Sequence, residues 1–318
     1  MLIGIDGGGT KTALCLADHN GNVIGQITGL GSNPADLGIE EAGRRLTEQL
    51  NQLLAPFGGS EARFTSMYAG IAGSANTETS AALREIFQKA LPNTEFIGNG
   101  SDAFNALYGE SEDDNGISLI SGTGSSCFAL SDGEVHQIGG WGYLVDDAGS
   151  GFRVGADVLS AAYRAFDGRG EDTMLKDMCL EKLGLPFREA IPRIYSGGKR
   201  YIASFTYTAF EAYMKGDKIA KEIILKNAEA LADHLKAGVK WIKRRPVICV
   251  VSGGLINNPN DIFFRMVQDA LGGLKSEIQM IRPVVPPVYG ALAKAARNAG
   301  IEAGSGFKNN FIKSYQQA

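Results

Sequence analysis

The sequence predicts a two-domain α/β protein in which helices flank mixed β-sheets. Three observations lead to this fold class. The chain has 318 residues, more than a single compact core usually holds. Two glycine-rich hairpins, at Asp6–Lys11 and Ile120–Ser126, each open a stretch of strand-like sequence. Helical and strand-like periodicities then alternate along the chain.

The first domain is predicted to begin with three antiparallel strands. Apolar runs at 2–5 and 12–17 flank the first glycine-rich turn, and Asn20-Gly21 leads to a third strand at about 23–28. The elements predicted next are a helix at 39–54, a strand at 64–71, a helix at 77–90 capped by Thr77 or Thr79, and a strand at 94–98. These elements together predict one mixed sheet.

A second β-rich segment begins near residue 116 and loosely repeats the first. ISLISGTG and SCFALSDGEV read as two strands around a glycine turn. Periodicity then predicts a mainly helical stretch at 153–240, a strand at 247–251 and an Ala-rich helix at 288–299. The last 15 residues are polar and are expected to be peripheral, with Phe307 and Phe311 as anchors.

The predicted domain boundaries follow from this order. The first domain is expected to span residues 1–115, with the C-terminal segment 288–318 packing back on it. The second is expected to span residues 116–287, with a cleft between the two.

Composition excludes several classes of function. The net charge of −4 gives no electrostatic footprint for nucleic acid. The one basic cluster, Lys243–Arg245, is expected to end a helix. No apolar run approaches the ~20 residues that a bilayer requires, and the N-terminus has no signal-peptide pattern. We therefore expect a cytoplasmic protein without a nucleic-acid or membrane partner.

The cysteines are expected to be buried free thiols in a reducing compartment. They are widely separated in the sequence, at Cys15, Cys127, Cys179 and Cys249. The three histidines do not have the spacing of a metal site.

The first glycine-rich turn is a candidate phosphate loop. Its glycines allow backbone N–H groups to approach a phosphate closely, and its polar side chains can donate to phosphate oxygens. The candidate residues are Gly8, Gly9, Thr10, Lys11 and Thr12. Asp6, at the end of the preceding strand, could hold Mg²⁺ through water. Alone, this turn could equally be a plain glycine-rich hairpin.

The second turn has the same chemistry, and the repetition is more specific than either turn alone. Its candidate residues are Gly122, Thr123, Gly124 and Ser125. A third motif, VVSGGL, places Gly253 and Gly254 directly after a buried strand. Two glycines there would form a flat surface for an adenosine, although a Gly-Gly after a strand is common.

These motifs resemble the actin, sugar-kinase and heat-shock ATPase superfamily. Within it, the chain resembles the BadF/BadG/BcrA/BcrD ATPase family, and most of all its N-acetylglucosamine kinase branch. The matching segments are Asp6–Thr12, Gly29–Pro34, Gly70–Ser74, Asn99–Leu107, Ile120–Ser126, Gly139–Phe152, Val251–Leu255 and Pro286–Ala295. The resemblance covers nearly the whole chain and implies a two-domain actin-like (ribonuclease H-like) ATPase fold with an interdomain cleft.

The resemblance also implies a reaction and residue roles. ATP with Mg²⁺ would phosphorylate a small-molecule sugar, with N-acetylglucosamine expected first, then N-acetylmuramate and glucosamine. Asp102 would be the catalytic base, and Gly290 with Ala291 would allow close helix packing. The residues expected around the sugar are Asn33, Ser74, Asp102, Gly140, Trp141 and Asp147. A homodimer is compatible with the resemblance.

Simpler interpretations stay open for several of these residues. Trp141 could belong to the core, Asn33 could be an ordinary turn residue before Pro34, and Asp146 and Asp147 could be turn residues. Asp102 could serve only the dipole of the helix that it precedes.

The chain departs from the family pattern beside the expected sugar site. Ala148 stands where relatives often have an acidic residue, and Phe152-Arg153 replaces an aromatic pair. These departures concern which sugar is bound. Two alternative functions are an ATPase that activates a dehydratase or reductase through a cysteine-bridged cluster, and a non-catalytic sugar sensor.

Overall fold

A computed structural model describes residues 1–257 and 261–316. Two compact units divide the chain, one formed by Met1–Asn115 with Pro283–Ala318 and the other by Gly116–Arg282. Each unit contains one five-stranded sheet. None of the helices in the described ranges has the length and apolarity that crossing a bilayer requires.

The sheet of the first unit is mixed, as predicted. Its strands are β1 (Leu2–Gly7), β2 (Lys11–Ala17), β3 (Val23–Leu30), β4 (Phe64–Ile71) and β5 (Thr94–Gly100). Their order is β3-β2-β1-β4-β5. The pairs β1–β2 and β2–β3 are antiparallel, whereas β1–β4 and β4–β5 are parallel.

Four helices connect the strands of this unit: α1 (Pro34–Leu37), α2 (Ile39–Leu54), α3 (Thr77–Ala90) and α4 (Asn105–Tyr108). A 3₁₀ turn at Asp102–Phe104 precedes α4. The predicted caps of α3, Thr77 and Thr79, are wrong. Asn76 is the N-cap, because its side-chain oxygen accepts a hydrogen bond from the backbone N–H of Thr79 at 2.8 Å.

The second unit repeats the sheet topology of the first. Its strands are β6 (Gly116–Ser121), β7 (Ser125–Ser131), β8 (Glu134–Gln137), β9 (Val247–Ser252) and β10 (Ile278–Ile281), in the order β10-β9-β6-β7-β8. The predicted helical stretch is divided into α5 (Gly151–Phe166), α6 (Met174–Leu183), α7 (Phe187–Ser204), α8 (Thr206–Met214) and α9 (Lys218–Val239). A further helix, α10 (Ile262–Ala270), lies between β9 and β10.

Two details of the second unit bear on later arguments. Helix α7 is broken at Gly198, where φ is 61° and ψ is −162°. Helix α9 ends before the basic cluster, so Lys243–Arg245 lies in the turn that follows. Arg245 nevertheless donates to the carbonyl oxygen of Val239 at 3.2 Å.

The chain returns to the first unit through α11 (Pro287–Asn298) and α12 (Ser305–Tyr315). The predicted helix at 288–299 is therefore confirmed to within one residue at each end, and the segment that was expected to be peripheral forms a second helix. Phe307 and Phe311 are both buried, which confirms them as anchors. Gln317 and Ala318, the end of the predicted segment, lie outside the described residues.

Strand β1 is buried on both faces, and this explains why α11 belongs to the first unit. Ile3 and Ile5 pack into the core that α2 and α3 cover, whereas Leu2 packs into the core that α11 and α12 cover. On the latter face, a Cβ on Gly4 would lie 2.7 Å from the backbone nitrogen of Leu292. The glycine therefore allows α11 to lie directly against the strand.

Candidate active site

The first glycine-rich loop presents backbone donors. The N–H of Gly8 donates to the carbonyl of Lys11 at 2.9 Å and closes the turn between β1 and β2. Within the described chain, neither Gly9 nor Thr10 uses its N–H in a hydrogen bond to another residue. Both are exposed, as is Lys11. The loop can therefore offer two N–H groups and a cation to an anionic ligand.

Thr12 occupies a different position from its neighbours in this motif. Its side chain is fully buried, with Oγ1 2.9 Å from the carbonyl oxygen of Leu30 and 2.8 Å from Oγ of Ser32. The Ser32 N–H in turn donates to the carbonyl of Gly8 at 3.0 Å. In this structure Thr12 therefore stabilises the base of the loop through these buried hydrogen bonds and does not lie on the loop surface.

Two carboxylates lie beside the end of β1. Asn105 Nδ2 donates to Asp6 Oδ1 at 2.6 Å. Burial raises the pKa of Asp6, while the bond from Asn105 and the charge of Lys11 oppose the rise. The pKa of Asp102 is raised to about 6, chiefly by burial and next by the negative charge of Asp6. Asp102 is therefore mostly ionised at neutral pH, yet far more basic than an ordinary carboxylate.

Local structure positions Asp102. It begins the 3₁₀ turn that follows β5, and the Ser101 hydroxyl caps this turn by accepting from the N–H of Ala103 at 3.3 Å. The Ser101 side chain thus fixes the start of the turn that carries Asp102.

Asn33 and Ser74 both have protein partners in the first unit. Asn33 caps α1 by accepting from the N–H of Ala35 at 3.0 Å, and its amide donates to Asp36 at 2.7 Å. The buried hydroxyl of Ser74 lies 2.7 Å from the carbonyl oxygen of Ile71 and 2.8 Å from that of Gly100. Ser74 thereby ties the ends of β4 and β5 together, and Gly100 at the end of β5 is two residues before Asp102 in the sequence.

The second glycine-rich loop resembles the first in its hydrogen bonding. The N–H of Gly122 donates to the carbonyl of Gly124 at 2.9 Å. The amide groups of Thr123 and Gly124 have no acceptor among residues 1–257 and 261–316. The loop carbonyls instead receive bonds from the first turn of α5, and the Ser125 N–H donates to Asp147 Oδ1 at 2.7 Å.

A pocket of about 390 Å³ adjoins this loop within the second unit. Its lining residues are Gly122, Thr123, Gly151, Arg200, Ala203, Ser204, Thr206, Tyr207, Phe210, Gly254 and Leu255. This volume and mixed lining are typical of a small-molecule site.

The two glycines of the third motif have different functions. A Cβ on Gly253 would overlap the carbonyl oxygen of Ser121, and its φ of +106° also favours glycine. Gly254 has no atom within 4 Å of its Cβ position and lines the pocket. Gly253 therefore allows close packing against β6, and Gly254 leaves open space for a ligand.

Asp147 is buried and charged. Its Oδ2 lies 3.0 Å from Nζ of Lys199, and its Oδ1 accepts from the amide of Ser125. It is therefore more than a turn residue. Sequence reasoning missed Lys199, because a single lysine inside a helical stretch gives no signal of a site.

Gly140 and Trp141 belong to a loop with an apolar, exposed tip. Gly140 has a φ of +66°, and a Cβ there would lie 2.7 Å from the carbonyl oxygen of Ser125. Trp141 is 58% exposed, so the interpretation of it as a core residue is wrong. Leu144 and Val145 are still more exposed. Such a cluster of apolar side chains in solvent is typical of a binding surface.

All four cysteines are buried free thiols, as predicted. Burial raises the pKa of Cys15, Cys127 and Cys179 to about 12. These thiols are unsuited to bridging a cluster at a subunit surface, because metal ligation requires an accessible thiolate. The chain therefore lacks the accessible cysteines that an ATPase activator with a cysteine-bridged cluster requires.

Comparison with known proteins agrees with this geometry. The model of the BadF/BadG/BcrA/BcrD ATPase family matches residues 3–295. The chain is 35% identical over 268 residues to an N-acetylmuramic acid/N-acetylglucosamine kinase from Clostridium acetobutylicum, covering 82% of this chain and 87% of that protein. It is 29% identical over 276 residues to an N-acetyl-D-glucosamine kinase from Dictyostelium discoideum, covering 80% and 85%.

Solved structures show the same fold. A protein from Porphyromonas gingivalis, provisionally named an N-acetylglucosamine kinase, matches with a TM-score of 0.66 at 20% identity, covering 94% of this chain and 99% of that one. A ROK hexokinase from Thermus thermophilus matches with a TM-score of 0.59 at 16% identity, covering 94% and 99%. These likenesses confirm the actin-like α/β fold that the sequence predicted.

Proposed function

Because the chain belongs to the BadF/BadG/BcrA/BcrD ATPase family, we propose that it is an ATP-dependent kinase that phosphorylates a hydroxyl of an amino sugar. The observation that carries this proposal is Asp102, a largely buried carboxylate with a pKa of about 6 beside Asp6 and the first loop. A general base works best when its pKa is near the working pH. Asp102 is therefore suited to accept the proton that the sugar hydroxyl loses during phosphoryl transfer.

The nucleotide is proposed to bind through both loops and the pocket of the second unit. The free amides of Gly9, Thr10, Thr123 and Gly124 are suited to phosphate oxygens. The pocket beside Gly254 is suited to the adenosine. Gly8, Gly122 and Ser125 shape the loops, and Lys11 adds positive charge.

The sugar is proposed to bind near Asp102 in the first unit, with Asn33 as a polar partner and Ser74 holding the strand ends. From the second unit, Gly140, Trp141 and Asp147 are proposed to contribute. The exposed indole of Trp141 supports this assignment, since an aromatic face is a common partner of a sugar ring. Asp147 carries a charge that can orient hydroxyl groups.

Mg²⁺ is proposed as the metal cofactor, held by Asp6 and the phosphates of the nucleotide. The residues present fit this ion. Mg²⁺ needs only one or two protein carboxylates when phosphate oxygens and waters complete its shell, and Asp6 lies near enough to Asp102 to raise its pKa. When bound, the ion neutralises phosphate charge. Asp6 would hold it at the first loop, and Asn105 fixes the orientation of the Asp6 carboxylate.

N-acetylglucosamine is the proposed first substrate, with N-acetylmuramate and glucosamine next. The relatives named for these sugars support this range. The small side chain of Ala148, next to Asp147, supports acceptance of a bulkier or acidic substituent. The two compact units are proposed as the two domains of the kinase. A cytoplasmic location is also proposed, and the need for ATP supports it. A homodimer stays a prediction.

A coupled assay of ADP release over a panel of sugars tests this proposal. We expect N-acetylglucosamine to exceed glucose in kcat/KM by about 10²-fold or more, because a site that hydrogen-bonds the acetamido group is left unpaired by glucose. Turnover should require Mg²⁺. A higher kcat/KM for glucose would contradict the amino-sugar assignment, and equal rates with and without Mg²⁺ would contradict the metal's part.

A further inference from the structure

A lysine lies over the second glycine-rich loop at the break in α7. Gly198 interrupts the helix, and Lys199 is the first residue after the interruption. Its Nζ lies 3.0 Å from Asp147 Oδ2. A Cβ on Gly124 would lie 2.8 Å from the same nitrogen. The ammonium group therefore lies against the loop backbone, where any larger residue than glycine would displace it.

The lysine and the adjacent pocket contact neighbouring residues of the same short loop. The pocket is lined by Gly122 and Thr123, whereas Lys199 lies against Gly124. Thr123 contacts the pocket and Gly124 contacts the lysine, and the N–H groups of both residues have no acceptor in the described ranges. A nucleotide with its adenosine in the pocket would therefore lead its phosphates along the loop towards Lys199.

The different exposure of Asp147 and Lys199 would allow the lysine to contact a bound phosphate as well as the carboxylate. The Asp147 side chain is 3% exposed and that of Lys199 is 31% exposed. The carboxylate is thus enclosed, while part of the lysine side chain is exposed to solvent. Lysine has three N–H donors and rotates freely, so it can contact a phosphate oxygen without leaving Asp147 completely.

Aromatic rings also hold the lysine in place. Its Nζ lies 5.4 Å from the ring centre of Tyr143 and 5.9 Å from that of Phe152. Cation–π contacts at this range stabilise a cation modestly. Asp147 and the rings together position the ammonium group at the loop in the protein without nucleotide.

We propose that Lys199 is a nucleotide-phosphate-binding residue, and that Asp147 positions its ammonium group over the loop Gly122–Ser125. This inference rests on the proposed kinase function and adds a residue that the sequence motifs do not include. It also gives Asp147 a second role beside its proposed contact with the sugar, because loss of its charge would release the lysine.

Calorimetry with Lys199→Met tests the inference, with ADP and adenosine as ligands in the presence of Mg²⁺. A charge-assisted hydrogen bond is worth enough to lower ADP affinity about 10- to 100-fold when it is lost. Adenosine lacks the phosphates, so its affinity should not change. Lys215→Met is the matched control, because Lys215 forms an exposed ion pair with Glu211 elsewhere in the unit, and it should leave both affinities unchanged.

Four outcomes distinguish the possibilities. Equal loss of ADP and adenosine affinity in Lys199→Met, with a lower melting temperature, would show that Lys199 only neutralises Asp147 and would overturn the inference. Unchanged ADP affinity would overturn it as well. If Lys199→Met does not fold, the double variant Asp147→Asn/Lys199→Met removes both charges, and the same selective loss for ADP is expected. A wild-type protein that neither binds ADP nor phosphorylates a sugar would instead refute the proposed function.

Discussion

Replacing Asp102 by asparagine separates a catalytic from a structural part for this residue. Its folded-state pKa is about 6, against an ordinary value of 3.8. That difference corresponds to about 3 kcal/mol of destabilisation of the folded protein when the carboxylate is ionised. Because the folded-state pKa is raised, this cost is absent below about pH 4. It grows as the pH rises and is complete above about pH 6.

Asp102→Asn should therefore stabilise the protein relative to wild type, and this stabilisation should be larger at pH 8 than at pH 4. Compared with wild type, the free energy of unfolding at pH 8 should rise by up to about 3 kcal/mol more than at pH 4. If Asp102 is the general base, kcat should fall about 10²- to 10⁴-fold with sugar binding largely kept. If it only favours a helix dipole, stability should fall by about 0.3–1 kcal/mol and kcat should stay unchanged. The two interpretations predict opposite signs for stability.

Urea unfolding at the two pH values, combined with kcat and sugar affinity, measures both effects. Asp172→Asn is the control, since this carboxylate is exposed, lies before α6 and forms an ion pair with Lys176 at 3.2 Å. It should change neither quantity. A near-normal kcat in Asp102→Asn would refute the role of general base, and Asp147 would become the next candidate. Asp147→Asn itself should raise the KM for the sugar and, through release of Lys199, also the KM for the nucleotide.

Three further changes test other parts of the structure. Asp6→Asn should lower the pKa of Asp102 in the metal-free protein, because it removes the neighbouring charge; carboxyl NMR titration measures this, and an unchanged pKa would contradict their coupling. Gly290→Ala should destabilise the protein by at least about 1–3 kcal/mol, because the new methyl group would overlap the backbone carbonyl of Asn105. Gly306→Ala is the control, since the Cβ position of Gly306 has open space, and equal melting temperatures for the two variants would count against this packing. Trp141→Ala should change stability by no more than about 0.5 kcal/mol while raising the KM for the sugar, and a normal KM would remove the indole from the site.

Elements with a strong local pattern were predictable from the sequence. Helix α2 has the predicted bounds because its apolar residues recur at helical spacing, and β4 has them because it is a continuous buried run. The loose repeat of the opening hairpin was visible in the sequence, whereas the shared strand order of the two sheets was not predicted. The candidate loops could be located because glycine is needed wherever backbone amides are to face a ligand.

Other features depend on contacts that a linear pattern does not contain. The cap of α3 is Asn76, and only the hydrogen bond distinguishes it from the nearby threonines. Helix α10 and strand β10 were not predicted, because neither segment has a clear apolar periodicity in the sequence. The hydrogen bond from Ser74 to Gly100 and the ion pair between Asp147 and Lys199 join residues that are far apart in the sequence. The surroundings of these side chains therefore could not be predicted.

The return of the chain to its first unit has a consequence for biosynthesis. The second unit is one continuous stretch, Gly116–Arg282, and needs no later residue for its core. The core around Leu2, by contrast, is completed only by α11 and α12. Although domains near the N-terminus usually fold first on the ribosome, here the order should be reversed. A released chain that is truncated before Pro287 would contain the whole second unit, but one apolar face of β1 would stay uncovered and available to chaperones.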